Sequence, residues 1–336
     1  MSFFLKKVSK LYSSLMGVRS DLYERGILSS YKSRLPVISV GNISAGGTGK
    51  TPLCIFLAKT FSKKGRRPVI LSRGYGGNYK ALHVVSKNDE AKLCGDEPLL
   101  MAHSLDTPIV LCRDRIAGAK YIEQNDLGDL IILDDGLQHI RLKRDLDLVT
   151  IDVSNEKNIN DMLHNKVIPW GHLREDRDAA LARADFVVVS HRMPQSKAKA
   201  AGRELLKLIP GGKVIVSSYF EPKEIVSCAD GSSLNKKEAV AFCGIANPEG
   251  FFATLETFGI RILHKVIVKD HHFFSTAEIS EMRKNHPGAA FVCTEKDAMR
   301  ISEENQKDIY KLRGELRIIP EDAFTVQIEK KLKSLN

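Results

Sequence analysis

The chain has 336 residues, 43% of them hydrophobic and 27% charged, with 24 glycines and 12 prolines. That apolar content excludes a disordered chain; the length excludes a disulfide-framed miniprotein and predicts two domains, each able to bury a core. The formal charge of +10 calls for an anionic partner (nucleic acid, an anionic membrane or a phosphorylated ligand), against the plainer reading of a protein that only avoids zero charge.

At the N-terminus, Leu5, Val8, Tyr12, Leu15 and Met16 recur at helical spacing, and Phe4, Leu11 and Val18 widen the stripe. Lys6 and Lys7 interrupt the apolar residues at once, so a signal-peptide core is not expected, and no stretch reaches the ~18 apolar residues of a spanning helix. Residues 1–36 carry seven basic and two acidic side chains, a balance of +5 and half of the whole excess. Segment 1–35 is therefore set apart as a basic amphipathic helix. It either lies in a membrane interface or packs on the protein.

Short β-branched runs then alternate with helical patterns, which predicts βαβ units and a parallel sheet. The expected strands are Pro36–Val40, Pro68–Leu71, Pro108–Cys112, Leu130–Leu133, Leu146–Ile151, Phe186–Ser190 and Val214–Ser218. A polar stretch from Glu221 to Lys237 places a boundary near residue 220, giving a lobe over 36–220 and a smaller one over 221–336. The second lobe restarts with a strand at Ala239–Cys243. A helix follows, capped by Asn247 and Pro248 and ended by Gly259, and then strands at Lys265–Val268 and Ala290–Cys293. The six cysteines form no CxxC pair and mostly sit in apolar runs, which indicates neither zinc site nor disulfide framework.

The most specific segment is Val37-Ile38-Ser39-Val40-Gly41-Asn42-Ile43-Ser44-Ala45-Gly46-Gly47-Thr48-Gly49-Lys50-Thr51-Pro52. A buried strand enters a glycine-rich loop and a helix leaves it. Residues Ser44 to Thr51 make a phosphate cradle: glycines let backbone N–H groups converge, Lys50 reaches the β/γ-phosphates and the Thr51 hydroxyl faces Mg²⁺. Ser44 stands where the G-x-x-x-x-G-K-[ST] consensus has its first glycine. A second nucleotide element is an apolar strand ending in acid, and Leu130-Ile131-Ile132-Leu133-Asp134-Asp135 fits. Adjacent side chains alternate in direction, so Asp134 and Asp135 face different partners, or one caps the following turn.

Three kinds of phosphate-loop protein compete. A dimeric switch ATPase would need a lysine at Ala45. A GTPase would need N-K-x-D, and Thr294-Glu295-Lys296-Asp297 misplaces the lysine. A kinase needs an acceptor base, a second cation and an acceptor pocket. A nucleic-acid binder lacks support, because no aromatic-interleaved basic strand or recognition helix is visible.

Nine strings, three of them already met, carry a family resemblance. They are Tyr23-Glu24-Arg25-Gly26, the Val40–Pro52 loop, Ser72-Arg73-Gly74-Tyr75-Gly76, Gly95-Asp96-Glu97-Pro98, Asp134-Asp135-Gly136-Leu137-Gln138-His139, Arg144-Asp145-Leu146-Asp147, Gly171-His172-Leu173-Arg174-Glu175, Asp270-His271-His272 and Thr294-Glu295-Lys296-Asp297. In this order they resemble the tetraacyldisaccharide 4′-kinase (lipid A 4′-kinase) family. The resemblance implies two α/β/α lobes, the larger a P-loop NTPase-like lobe with a mostly parallel sheet, and an active site in the cleft between them. It also implies ATP- and Mg²⁺-dependent phosphorylation of the 4′-hydroxyl of a tetraacyl disaccharide 1-phosphate, the lipid A precursor. The rival reading is an NTPase switch with no lipid acceptor.

By the same resemblance Asp96 positions or deprotonates the acceptor hydroxyl and His271 tunes Asp96. The two are expected from opposite lobes, assembled when the cleft shuts. From the sequence alone Asp96 reads equally as a helix cap, and His272 could exchange roles with His271. Thr51, Asp134 and Glu175 are expected at Mg²⁺ with Asp135 beside them, and Arg174 at the γ-phosphate. Arg113, Arg115, Tyr75 and His139 are candidates for the substrate. Thr294–Asp297 either touches the nucleotide base or buttresses the cleft. The expected setting is peripheral, at the cytoplasmic face of the inner membrane, against an anionic surface and without an obligate protein partner.

Overall fold

The computed structural model describes residues 2–154, 156–191 and 204–334. Its strands, in chain order, are β1 (Val37–Asn42), β2 (Pro68–Ser72), β3 (Leu82–Val84), β4 (Ile109–Cys112), β5 (Leu130–Asp134), β6 (Leu146–Asp152), β7 (Phe186–His191), β8 (Val214–Ser227), β9 (Glu238–Cys243), β10 (Arg261–Ile267), β11 (Ala290–Thr294) and β12 (Ile309–Ile319). The chain divides into two compact units. Unit 1 comprises residues 1–73, 107–220 and 316–336; unit 2 comprises 74–106 and 221–315.

In unit 1 the strand order is β8-β7-β6-β1-β5-β2-β4, and every pairing is parallel. β1 is fully buried because Val37, Ile38 and Val40 find neighbours on both sides: Val37 to Val40 register with Ile131 to Asp134, and Ile38 to Asn42 with Leu146 to Thr150. Helix Lys50–Lys63 packs on β1, β2 and β5, and helix Arg115–Gln124 on β2 and β4. The C-terminal helix Glu321–Lys333 returns to this unit, where Phe324 meets the edge of Phe186 at 5.5 Å between ring centroids. The mixed α/β, mostly parallel, P-loop NTPase-like architecture expected from the sequence is the one the chain adopts.

The N-terminal helix, Ser2–Glu24, belongs to unit 1. Its apolar residues split into two faces. Leu5, Tyr12 and Met16 turn inward with Ser9, whose hydroxyl donates to the Val167 carbonyl at 2.7 Å. Phe4, Val8, Leu11, Leu15 and Val18 remain exposed along the other side. No helix among the described residues is long and apolar enough to cross a membrane.

In unit 2 the order is β10-β9-β11-β12, again parallel. Its core gathers Val240, Phe242, Phe274, Ile279, Phe291 and Ile309. Helix Asp96–Ser104 packs on the short helix Glu295–Ala298. This grouping departs from the contiguous 36–220 and 221–336 division, because residues 74–106 leave unit 1 after β2 and join unit 2. Glycines make that exit: Gly74 and Gly76 lie at φ 61° and 80°, and a Cβ on Gly77 would come within 2.6 Å of the Leu93 carbonyl.

Candidate active site

The phosphate loop of unit 1 runs from the end of β1 to the helix at Lys50. Gly49 caps that helix at φ 86°, and Gly46 lies at φ 113°. Both are backbone shapes that glycine adopts without cost. Asn42 shapes the loop from below, its amide donating to the Ser44 carbonyl and, at 3.5 Å, to that of Gly46. Thr48 and Thr150 share a hydroxyl hydrogen bond of 2.9 Å. Ser44 thus sits in a loop held by side chains and by a neighbouring strap. The Ala45 N–H donates to the His172 carbonyl at 2.8 Å, and the Arg174 N–H to the Ile43 carbonyl at 2.7 Å.

That strap ties Gly171–Glu175 to the loop. It sets Arg174 so that one guanidinium nitrogen reaches both oxygens of Asp135, at 2.8 and 2.9 Å. Lys50 Nζ lies 3.5 Å from the same carboxylate. Burial pushes the Asp135 carboxyl up, but Lys50 and Arg174 outweigh it and hold the group below its ordinary value. The loop, Lys50 and Arg174 make a polar mouth suited to phosphate oxygens.

Asp134 ends β5 and is buried, accepting from the Ser72 hydroxyl at 2.7 Å and the Cys54 thiol at 3.8 Å. Thr51 is buried in the first turn of the loop's helix. Both oxygens of Glu175 have partners: Gln138 Nε2 at 2.9 Å and the Arg183 guanidinium. Gln138 also donates to the Asn42 carbonyl at 3.0 Å, tying Glu175 to the end of β1. No three His, Cys, Asp or Glu side chains are gathered into a metal site among the described residues. The hard oxygen donors Thr51 and Asp134 nonetheless suit Mg²⁺, which in nucleotide sites takes one or two carboxylates and fills its sphere with phosphate and water.

Two of the substrate candidates meet in unit 1. Arg115 is buried at the start of its helix and lies close enough to His139 to help depress its pKa. Burial, then Arg115 and Arg141, push the His139 imidazole down to about 4, so it is neutral at pH 7. Its buried Nε2 has no protein hydrogen-bond partner. Arg113 is exposed.

The acceptor candidates lie in unit 2. Gly95, at φ 92°, caps the helix and Asp96 is its first residue, accepting from the Glu97 N–H at 2.9 Å. Asp96 is only 3% exposed. His271 Nδ1 stands 3.0 Å from Asp96 Oδ2, whereas His272 pairs with Glu278 at 2.8 Å. His271 adopts φ 62°, costly for a residue with a Cβ, and its N–H is held by Asp270 Oδ1 at 3.0 Å. Tyr75, 73% exposed, presents its ring edge-on to that imidazole at 5.6 Å. Burial works against ionising Asp96, but His271, Lys296 and Arg300 lower its pKa overall; His271 is raised, chiefly by its hydrogen bond to Asp96.

The expectation that the pair is drawn from opposite lobes is corrected here, since Asp96 and His271 both belong to unit 2. They meet because 74–106 is part of that unit, so no closure is needed to form the pair. Thr294–Asp297 is placed as well: Lys296 Nζ lies 3.0 Å from Glu97, 3.6 Å from Asp270 and 3.9 Å from Asp96. Sequence reasoning gave no role to Asn42, Gln138 or Arg300, and took in Lys296 only as part of Thr294–Asp297. The only signal for Arg300 was its helical spacing from Lys296 and Asp297.

A parallel sheet with a strand–glycine loop–helix at its centre defines a P-loop NTPase-like protein. The family profile of tetraacyldisaccharide-1-P 4′-kinase matches residues 1–333. Among similar proteins, the tetraacyldisaccharide 4′-kinase of Chlorobaculum parvum is 35% identical over 319 residues, 91% of this chain and 86% of its own. That of Francisella tularensis subsp. novicida is 36% identical over 283 residues, 81% of this chain and 82% of its own. The "apo" form of LpxK from Aquifex aeolicus, solved in complex with ATP, superposes with a TM-score of 0.78 at 27% identity, covering 98% of this chain and 99% of that one. The chain belongs to the tetraacyldisaccharide-1-P 4′-kinase family.

Proposed function

We propose that this protein transfers the γ-phosphoryl group of ATP to the 4′-hydroxyl of a tetraacyl disaccharide 1-phosphate. The observation that carries the reading is the buried Asp96 under His271, in a chain that also holds a phosphate loop. Kinase chemistry needs a phosphate-holding end and a hydroxyl-activating group, and the chain carries candidates for both. Loop N–H groups and Lys50 hold the β/γ-phosphates. Arg174, now neutralised by Asp135, exchanges that partner for γ-phosphoryl oxygens as charge spreads over them. Asp96 accepts the hydroxyl proton as the oxygen attacks phosphorus, and the raised His271 steadies the carboxylate.

Thr51 and Asp134 would hold Mg²⁺, which when bound neutralises phosphate charge. Glu175, steadied by Gln138 and Arg183, is assigned to the same metal side. Neutral His139 and buried Arg115 are assigned to the sugar 1-phosphate side, with Arg113 at its rim and Tyr75 over the acceptor. The exposed stripe Phe4, Val8, Leu11, Leu15 and Val18, with exposed Lys7 and Lys10 beside it, supports peripheral contact with the anionic cytoplasmic face of the inner membrane.

The test mixes purified protein, γ-labelled ATP, Mg²⁺ and tetraacyl disaccharide 1-phosphate in detergent micelles. Label is expected in the lipid. Label released only as inorganic phosphate would overturn the reading in favour of an NTPase switch.

A further inference from the structure

The segment 294–300 of unit 2 does more than close a fold. Its two cations, Lys296 and Arg300, reach three separate stretches of chain. Lys296 spans Glu97 and Asp96 at the start of one helix and Asp270 in the loop before His271. Arg300 is wholly buried. Its Nε lies 3.4 Å from Asp96 Oδ2, and its terminal nitrogens donate to the His272 carbonyl at 3.2 Å, the Gly244 carbonyl at 3.0 Å and Asp297 at 2.5 Å. One guanidinium therefore ties the loop carrying His271 to the carboxylate that His271 faces. Asp297 in turn accepts from the Gly244 N–H at 2.9 Å and the Thr294 hydroxyl at 2.6 Å, which fixes the base of the bracket.

We propose that Lys296 and Arg300 are positioning residues for the Asp96–His271 pair, holding carboxylate and imidazole in register for the acceptor hydroxyl, and that Lys296 also sets the pH range of the pair. Arg300 supplies geometry: a planar fork with several fixed donors holds a loop whose key residue sits at a positive φ. Lys296 supplies charge. Asp96 is faced by Glu97 on its own helix, by the Cys94 thiol just before it, by Asp270 and His271 from the loop, and by Lys296 and Arg300, with Asp297 behind Arg300. Four carboxylates thus meet two permanent cations, and removing either cation deepens an existing excess of buried or half-buried negative charge. The sign follows. Lys296 lowers both Asp96 and His271, so its loss raises both and moves the working range of the pair to higher pH.

The bracket is tested on the full-length protein with K296M, K296R and R300K, by label transfer to tetraacyl disaccharide 1-phosphate over a pH series at varied ATP. Lys296 is partly exposed, and Asp96 keeps Arg300 and His271 as partners in K296M, so the variant does not strand a wholly unpaired buried carboxylate. K296M is expected to lose on the order of 10–100-fold in kcat with KM for ATP unchanged, and its pH–rate profile to move to higher pH. K296R is expected to restore the wild-type profile. R300K, which keeps the charge but loses the fork, is expected to lower kcat with KM for ATP unchanged. A folded K296M with an unshifted profile, or losses confined to KM for ATP, overturns the proposal. A purely structural role would lower the melting temperature without moving the profile, and also overturns it. The proposal rests on the kinase reading. A wild type that leaves the lipid unlabelled overturns both, whereas an active wild type with an unshifted K296M overturns this one alone.

Discussion

His271 Nδ1 lies 3.0 Å from Asp96 Oδ2, between residues 175 positions apart in one compact unit. The pair exists before any substrate arrives, which makes its protonation measurable in the resting protein.

Two histidines are predicted to titrate in opposite directions. His271 is raised, chiefly by its hydrogen bond to Asp96, and His139 is pushed down to about 4 by burial and then by Arg115 and Arg141. By linkage, His271 stabilises the fold fully below its unfolded pKa of about 6.5, and the gain is lost as pH rises through its raised folded value. Buried neutral His139 does the reverse: stability falls as pH drops from about 6.5 towards 4, because the unfolded chain takes up a proton first. NMR titration of labelled histidines checks both. The substitution His271→Asn, chosen because Asn tolerates a positive φ, should remove the loss at higher pH.

Gly49→Ala is expected to damage nucleotide binding more than stability. The position needs φ 86°, and an added Cβ would stand 3.3 Å from Ser190 Oγ. The backbone cost is about 1–2 kcal/mol, enough to tilt the loop's N–H groups. Calorimetric titration with ATP should show weakened affinity with a melting temperature lowered by only a few degrees.

Arg174 and Asp135 are predicted to couple. Arg174→Ala should cut kcat by about 10³-fold or more, the scale of a charge-stabilising arginine in phosphoryl transfer. Asp135→Asn should release Lys50 and Arg174 and cost less. In the double variant the two losses should not add, since the residues share one contact.

The outer face of the N-terminal helix should act in membrane binding and not in folding. Leu11→Glu with Leu15→Glu places charge where both side chains are more than half exposed. Co-sedimentation with vesicles containing anionic lipid should fall on the order of tenfold or more, with the melting temperature unchanged. An equal loss of both would show the face is packed against protein.

The loop, the Asp134–Asp135 strand end and the parallel strands of unit 1 were legible because each is written in consecutive residues. The split within the N-terminal stripe was not. Leu5 and Leu15 look alike in sequence, and only Val167 and its neighbours decide which turns inward. β12 was missed because only Ile309, Leu312 and Ile318 of its eleven residues are buried among charges. β10 starts at Arg261 where Lys265 was expected; the early residues were missed because the strand is mostly exposed and gives no apolar run. The departure of 74–106 into unit 2, and with it the meeting of Asp96, Lys296 and Arg300, depends on contacts across about 200 residues that no local pattern carries.

The most direct test of the central claim compares Asp96→Asn with the wild type in two readings on the same preparation: equilibrium ATP affinity, and label transfer from γ-labelled ATP to the 4′-hydroxyl. The account predicts unchanged ATP affinity and transfer reduced by about 10²–10⁴-fold, the range of a lost general base. Transfer at the wild-type rate, or a loss explained entirely by weaker ATP binding, would contradict it.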